Sequence, residues 1–348
     1  MHRSSVIRSF PKGVTQPKTS RDVQCIIRRQ LHTPPRKRIA LMFPGQGAQY
    51  VGMSADICAK YDSARHLLSR ISKRLDLPLQ DIMWEGPMDK LMLTEYTQPA
   101  LLSHSMAIVQ VLKDEGVLDF REISAVLGHS LGEFSALAAA EYITAEDAAD
   151  LVRCRGKWMQ ECIEPDQIAM AAFMPIDREK ANVLARESQS STGKICQIAN
   201  INSPSQIVLS GHVEAVEKAV QLGSESSLGF RCKSRRLNVS APFHSSILKP
   251  AAEKLREKLE KIQIHRGRVP IVSNVTHERV QDPEEIRRLL SEQVTATVMW
   301  HDRVEEFVEI GAARVLSGLA KQIVPSAVCT SIDTAEELSQ YISKKKGI

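Results

Sequence analysis

Ile123-Ser124-Ala125-Val126-Leu127-Gly128-His129-Ser130-Leu131-Gly132-Glu133-Phe134-Ser135-Ala136-Leu137 decides how this chain is read. An apolar run of strand length is followed by a serine bracketed by two glycines, and then by a helix-forming stretch. G-x-S-x-G between strand and helix is the pattern of a nucleophile elbow. The turn exposes the serine hydroxyl, and glycines stand where the two backbones approach closely. The following helix start supplies free N–H groups and a favourable dipole. Ser130 is therefore the candidate nucleophile, and the Leu131 N–H is a candidate oxyanion donor.

Working outward, residues 38–43 form a second short apolar run, stopped by Pro44-Gly45-Gln46-Gly47-Ala48-Gln49. This reads as another buried strand with a glycine-rich turn. Residues 100–112 are helical in pattern. From 164 to 238 the rhythm changes: strand 168–174, helix 177–187 capped by Asp177, strands 195–201 and 206–209, helix 213–222 and strand 230–237. That β-α-β-β-α-β order is ferredoxin-like. After 240 the pattern predicts helix 248–261, strand 269–273, helices 283–290 and 301–309, and a last apolar segment. The expected fold class is α/β, a hydrolase-like core with a parallel sheet carrying an inserted βαββαβ subdomain. The body is assigned to 39–163 plus 239–348 and the insert to 164–238.

Composition narrows the function classes. The chain has 348 residues, 43% hydrophobic and 25% charged, with no apolar run near the roughly 20 residues of a membrane-spanning helix. Its seven cysteines (Cys25, Cys58, Cys154, Cys162, Cys196, Cys232, Cys329) are scattered and include no C-x-x-C pair. A disulfide framework or zinc knuckle is not indicated. The net charge of +5 is carried by residues 1–38, which hold ten Lys or Arg and one acid, leaving 36 bases against 40 acids in 39–348. An acidic body does not suit nucleic-acid binding. The basic, acid-poor start, lacking an apolar h-region, reads as a mitochondrial presequence cut near Arg28-Arg29. The alternative is a basic tail.

A serine needs a base. Among ten histidines, His244 in Ala241-Pro242-Phe243-His244 lies in a loop downstream of Ser130, in the order nucleophile then histidine. His129 adjoins Ser130, but the turn directs its side chain elsewhere. No orienting acid stands out: Asp147, Asp150 and Asp177 sit at helix starts, where capping accounts for them, and Asp166 carries no distinguishing pattern.

These residues carry a resemblance. The chain resembles the malonyl-CoA:acyl carrier protein transacylases over essentially all of 39–348. The likeness rests on 43–49, Thr97-Gln98-Pro99-Ala100-Leu101, 128–137, Arg155-Gly156-Lys157, Asn200-Ile201-Asn202-Ser203-Pro204 and 241–244. It implies the same fold, with Ser130 as the acylated nucleophile, His244 as base, and the N–H groups of Gln46 and Leu131 as the oxyanion hole. A carbonyl of Gln293 is implied to orient His244 in place of an acid; if that carbonyl is main-chain, the Gln293 side chain should be replaceable at little cost. Arg155 is implied to grip the malonyl carboxylate, for which a guanidinium fork is better shaped than an ammonium. Gln98, Asn200, Asn202 and Phe243 are implied to line the substrate site. One departure is Gly311-Ala312-Ala313, where the family has Gly-Pro-Gly, so a less rigid turn is expected.

The implied activity is transfer of malonyl from its coenzyme A thioester to acyl carrier protein for fatty acid synthesis, by a mitochondrial-type member. No metal or other cofactor is implied, and a monomer is expected. Arg231, Lys233, Arg235 and Arg236 are candidates for docking the acidic carrier. Two alternatives remain at this point: a serine thioesterase or esterase, and a non-catalytic scaffold of a fatty-acid synthesis complex.

Overall fold

The computed structural model describes residues 39–225, 227–300 and 306–348. Residues 1–38, on which the presequence expectation falls, lie outside the described residues. The chain runs β1 (Ile39–Phe43), helix α1 (Thr94–Asp114), β2 (Ile123–Gly128), α2 (Gly132–Ala139) and α3 (Ala145–Gln160). Next come β3 (Ile168–Met174), α4 (Arg178–Thr192), β4 (Cys196–Ser203), β5 (Gln206–His212), α5 (Val213–Glu225) and β6 (Lys233–Arg236). It then returns through β7 (Ile271–Val272), β8 (Arg279–Val280), α6 (Pro283–Glu292), β9 (Val298–Met299), β10 (Glu306–Ile310), α7 (Val315–Ile323), β11 (Val328–Ile332) and α8 (Ala335–Lys346).

The larger sheet has the order β11-β10-β1-β2-β7-β8, parallel throughout except for the β7–β8 pair. β1 is buried at every position, because helices cover both faces of a parallel sheet. Its last residue, Phe43, pairs with Gly128 at the end of β2, so the turns after both strands emerge side by side. Crevices at the carboxyl ends of parallel strands are where open α/β sheets place their ligands.

The smaller sheet, β6-β3-β5-β4-β9, is antiparallel apart from β4–β9. Alternation along β3 explains its seat. Ala169, Ala171 and Phe173 pack with Leu184 of α4 and Val216 of α5, whereas Met170 faces the main core. Its fifth strand, β9, comes from chain beyond the insert and ties the sheet to the body. The α/β class with a parallel core and a small βαββαβ unit agrees with the reading of the sequence.

One element differs. Residues 306–310, expected within a helix, form β10 between β1 and β11. Glu309 is fully buried there and accepts the N–H groups of Leu316 and Ser317, each at 2.8 Å. It satisfies the start of α7, and this supplies the donors a buried carboxylate requires.

A polar knot joins several turns at the carboxyl edge of the sheet. Asp333, after β11, accepts from Tyr50 (2.9 Å), from Nε2 of His104 on α1 (3.0 Å) and from the Ala313 N–H (3.1 Å). Nδ1 of His104 in turn faces the Ser54 hydroxyl at 2.6 Å. Ala313 has φ 61° and Gly311 packs against Pro44 and Ser105. The turn that lacks the family's proline is thus held by a carboxylate and by close packing.

Candidate active site

Ser130 sits between β2 and α2 with φ 54°, a left-handed conformation uncommon for a residue with a Cβ. A Cβ on Gly128 would collide with the Gly132 carbonyl, and one on Gly132 would collide with the Phe43 carbonyl. The glycines of the motif are therefore required by backbone contacts. Asn274, after β7, clamps the turn: its Oδ1 accepts the Ser130 N–H at 2.7 Å and its Nδ2 donates to the Gly128 carbonyl at 2.8 Å. Strain at a functional turn persists only where the surroundings enforce it, and Asn274 is part of that enforcement.

His244 also has a positive φ, 58°, in the loop after β6. Its Nε2 lies 2.8 Å from Ser130 Oγ, and its Nδ1 faces the main-chain carbonyls of Gln293 (2.8 Å) and Ala296 (3.1 Å). Carbonyls only accept, so Nδ1 carries the hydrogen and Nε2 is free to take the serine proton. Burial, reinforced by the charge of Arg155, pulls the imidazole down to about 3, so the ring is neutral near pH 7. His244 borders a 270 Å³ cavity walled by α4, β4, Thr295 and Thr297.

Arg155, on α3, is 1% exposed. Its Nη2 donates to Ser130 Oγ at 3.0 Å and to Gln293 Oε1 at 2.9 Å, and its Nη1 donates to Gln98 Oε1 at 2.9 Å. The guanidinium also stands 5.7 Å from the centre of the Phe134 ring. Burial draws its value down to about 9, with Glu133 acting in the opposite direction. A cation is therefore held beside the nucleophile by neutral partners, with Nε lacking an acceptor among the described residues.

The Gln293 side chain is not the bystander expected from a main-chain role alone. Besides accepting from Arg155, its Nε2 donates to Glu133 Oε2 at 2.6 Å and to the Ser130 carbonyl at 2.9 Å. Replacing it would leave buried groups of three residues short of partners, so the expectation of little cost is corrected.

Gln46 follows β1, and its Nε2 reaches Thr94 Oγ1 at 3.2 Å. Neither the Gln46 N–H nor the Leu131 N–H is engaged by another described residue. Asn202 Oδ1 lies 3.0 Å from His129 Nε2, so His129 turns to the insert, away from Ser130. Asn200 is buried in β4 between Val208 and Val298, and no hydrogen bond joins it to the Ser130 cluster among the described residues. Phe243, next to the base, packs into the main core. Two residues escaped the sequence reading, Asn274 and Glu133. Asn274 has no local signature, whereas Glu133 could have been noticed as the lone charge in an otherwise apolar helix.

Chemically, the arrangement offers a hydroxyl facing a neutral base, two backbone N–H groups with no partner among the described residues, and a buried cation able to receive a carboxylate. Residues 41–323 match the family of the acyl transferase domain. The malonyl CoA-acyl carrier protein transacylase of Bacillus subtilis is 37% identical over 295 residues, covering 82% of this chain and 90% of its own length. That of Staphylococcus aureus is 38% identical over 312 residues, covering 87% and 98%. Among solved structures, the acyl-carrier-protein-S-malonyltransferase of Bartonella henselae has a TM-score of 0.83 at 36% identity, covering 89% of this chain and all of its own. A malonyl-transacylase solved in complex with a type II polyketide acyl carrier protein has a TM-score of 0.83 at 34% identity, over 88% of this chain. This chain belongs to the malonyl CoA-acyl carrier protein transacylase family of acyl transferases.

Proposed function

We propose that this protein transfers malonyl from malonyl-CoA to the phosphopantetheine thiol of an acyl carrier protein, supplying fatty acid synthesis. The observation that carries the reading is the convergence on Ser130 Oγ of His244 Nε2 at 2.8 Å and Arg155 Nη2 at 3.0 Å. A base and a carboxylate receptor at one nucleophile suit an acyl group that bears its own negative charge.

In the first half-reaction Ser130 Oγ attacks the thioester carbonyl carbon and His244 Nε2 takes its proton. The oxyanion is received by the N–H groups of Gln46 and Leu131. Collapse breaks the carbon–sulfur bond, and the coenzyme A thiolate leaves with the proton from His244. In the second half the carrier thiol gives its proton to His244 and attacks the malonyl-serine ester, and Ser130 recovers the proton as it leaves. Arg155 holds the free carboxylate throughout, with Gln98, Asn200, Asn202 and Phe243 as the surrounding wall. Ester formation removes the hydroxyl hydrogen that faced His244, and the Nη2 hydrogen aimed at Oγ can turn to the carboxylate while the other stays on Gln293 Oε1.

In this reading residues 39–163 and 239–348 are the catalytic body, and 164–238 is an insert that closes over it. Carrier docking is assigned to the insert's edge: Arg231, Lys233, Arg235 and Arg236 are all exposed, and Arg236 is paired with Glu217. Residues 1–38 are read as a mitochondrial presequence, supported by their ten bases to one acid. Import into isolated mitochondria with shortening of the chain supports this, and an uncut, unimported chain overturns it.

The deciding experiment is single-turnover labelling with malonyl-CoA followed by carrier protein or by water. Malonyl on Ser130 that moves to the carrier faster than to water is the expected result. Rapid loss to water indicates a thioesterase, and absence of label indicates a scaffold.

A further inference from the structure

We propose that Glu133 is a positioning residue for malonyl selection, acting through the Gln293 amide to hold Arg155 beside Ser130 with a neutral oxygen, not a carboxylate, bonded to its guanidinium. The inference rests on the malonyl reading above and adds a residue that neither the motif nor the base-and-nucleophile geometry requires.

Glu133 is buried in the first turn of α2, the helix that follows the Ser130 turn. Its Oε2 accepts from Gln293 Nε2, and the oxygen of the same amide accepts from Arg155. An amide has a donor end and an acceptor end, and a carboxylate only accepts. Glu133 and the Ser130 carbonyl therefore fix which way the amide points, and the amide oxygen in turn fixes Nη2. A rotated amide would set NH₂ against the guanidinium and push it away from the serine.

The spacing matters as much as the orientation. Among the described residues Arg155 forms no direct ion pair; the acid stands one amide away. A carboxylate bonded directly to the guanidinium would occupy the fork that the substrate needs, and the malonyl group would have to displace it. With no acid at all, a buried guanidinium would have only neutral partners to offset its desolvation. The amide spacer keeps the acid close while the atom it places on Nη2 is a neutral oxygen.

The groups reaching Glu133 are Arg155 from α3, Gln293 from the end of α6 and a backbone contact with Asn274 after β7. Burial raises this carboxyl to about 7, against the lowering influence of those three. An arriving malonyl carboxylate adds negative charge and favours the protonated acid, so binding takes up a proton wherever the free site is ionised. The KM for malonyl-CoA should therefore be flat below about 7 and rise above it, with no matching trend for acetyl-CoA.

The test compares wild type, Glu133→Gln and Glu133→Ala for Ser130 acylation by malonyl-CoA and acetyl-CoA between pH 6 and 8. Glu133→Gln keeps an acceptor for the amide and removes the charge. It should retain malonyl preference within about threefold at pH 6 and lose the rise in malonyl KM with pH. Glu133→Ala leaves only the Ser130 carbonyl to fix the amide and should lower the preference about tenfold or more, mainly through malonyl KM. Wild-type preference in Glu133→Ala, or an unaltered pH trend in Glu133→Gln, overturns the proposal. If Glu133→Ala does not fold, the pH trend of Glu133→Gln decides alone. A wild-type enzyme that accepts no malonyl overturns both this and the parent reading; one that accepts it while the variants behave as wild type overturns only this one.

Discussion

His244 Nδ1 lies 2.8 Å from the main-chain carbonyl of Gln293, so the imidazole is aimed by backbone rather than by an acid. A carbonyl fixes the tautomer as firmly as a carboxylate does, but brings no full charge to favour the imidazolium. That neutrality suits a site that already holds one buried cation.

The pH response follows. Because burial draws His244 down to about 3, acylation at saturating malonyl-CoA should show no inflection near the ordinary histidine value and should fail only in acid. The folded ring resists a proton that the unfolded ring accepts below its normal value. Its contribution to stability is therefore complete above about 6.5 and is lost as pH falls toward about 3. Rapid-quench rates from pH 5 to 8 check the first point, and denaturant midpoints over the same range check the second.

Ser130→Ala should accept no covalent malonyl. His244→Ala should retain the hydroxyl and lose about 10²–10⁴ in acylation rate, the range for one general base. Intact-mass measurement after a timed pulse of malonyl-CoA distinguishes the two.

Arg155→Ala should reverse the acyl preference. Malonyl loses its charge partner and acetyl no longer faces a buried unpaired cation, so the ratio of kcat/KM values should move by about 10³-fold or more. Competition between the two thioesters measures the ratio directly. An unchanged ratio would remove Arg155 from its role.

Asn274→Ala leaves the Ser130 N–H and the Gly128 carbonyl without their clamp. Two unpaired backbone groups in a buried turn should cost about 2–4 kcal/mol of stability. Loosening of the left-handed serine should lower kcat more than it raises KM. Thermal unfolding and steady-state kinetics on the same preparation test both effects.

The elbow was legible because β2, the turn and α2 are contiguous and each has its own local pattern. The small sheet was legible for a similar reason: β3 is an apolar run of strand length, and Asp177 caps α4 by accepting the Lys180 N–H at 2.9 Å. β10 was misread as part of helix 301–309, because only the start of α7 shows why Glu309 is buried. Asn274 and the Gln293 side chain were hidden for a different reason. Their partners are 144 and 138 residues away, and no local pattern reports a long-range amide. Gln293→Ala should therefore cost both selectivity and stability, contrary to what its main-chain role alone suggests; malonyl and acetyl kinetics beside a melting curve measure this.

Asp333 accepts hydrogen bonds from the turn after β1, from α1 and from the turn after β10, so these segments share one fastening point. Their amides will not exchange with solvent as independent loops: releasing the carboxylate loosens the stretch leading from Gln46 together with the chain's C-terminal edge. How still the oxyanion donors are held thus depends in part on that edge, although no hydrogen bond joins Asp333 to Ser130.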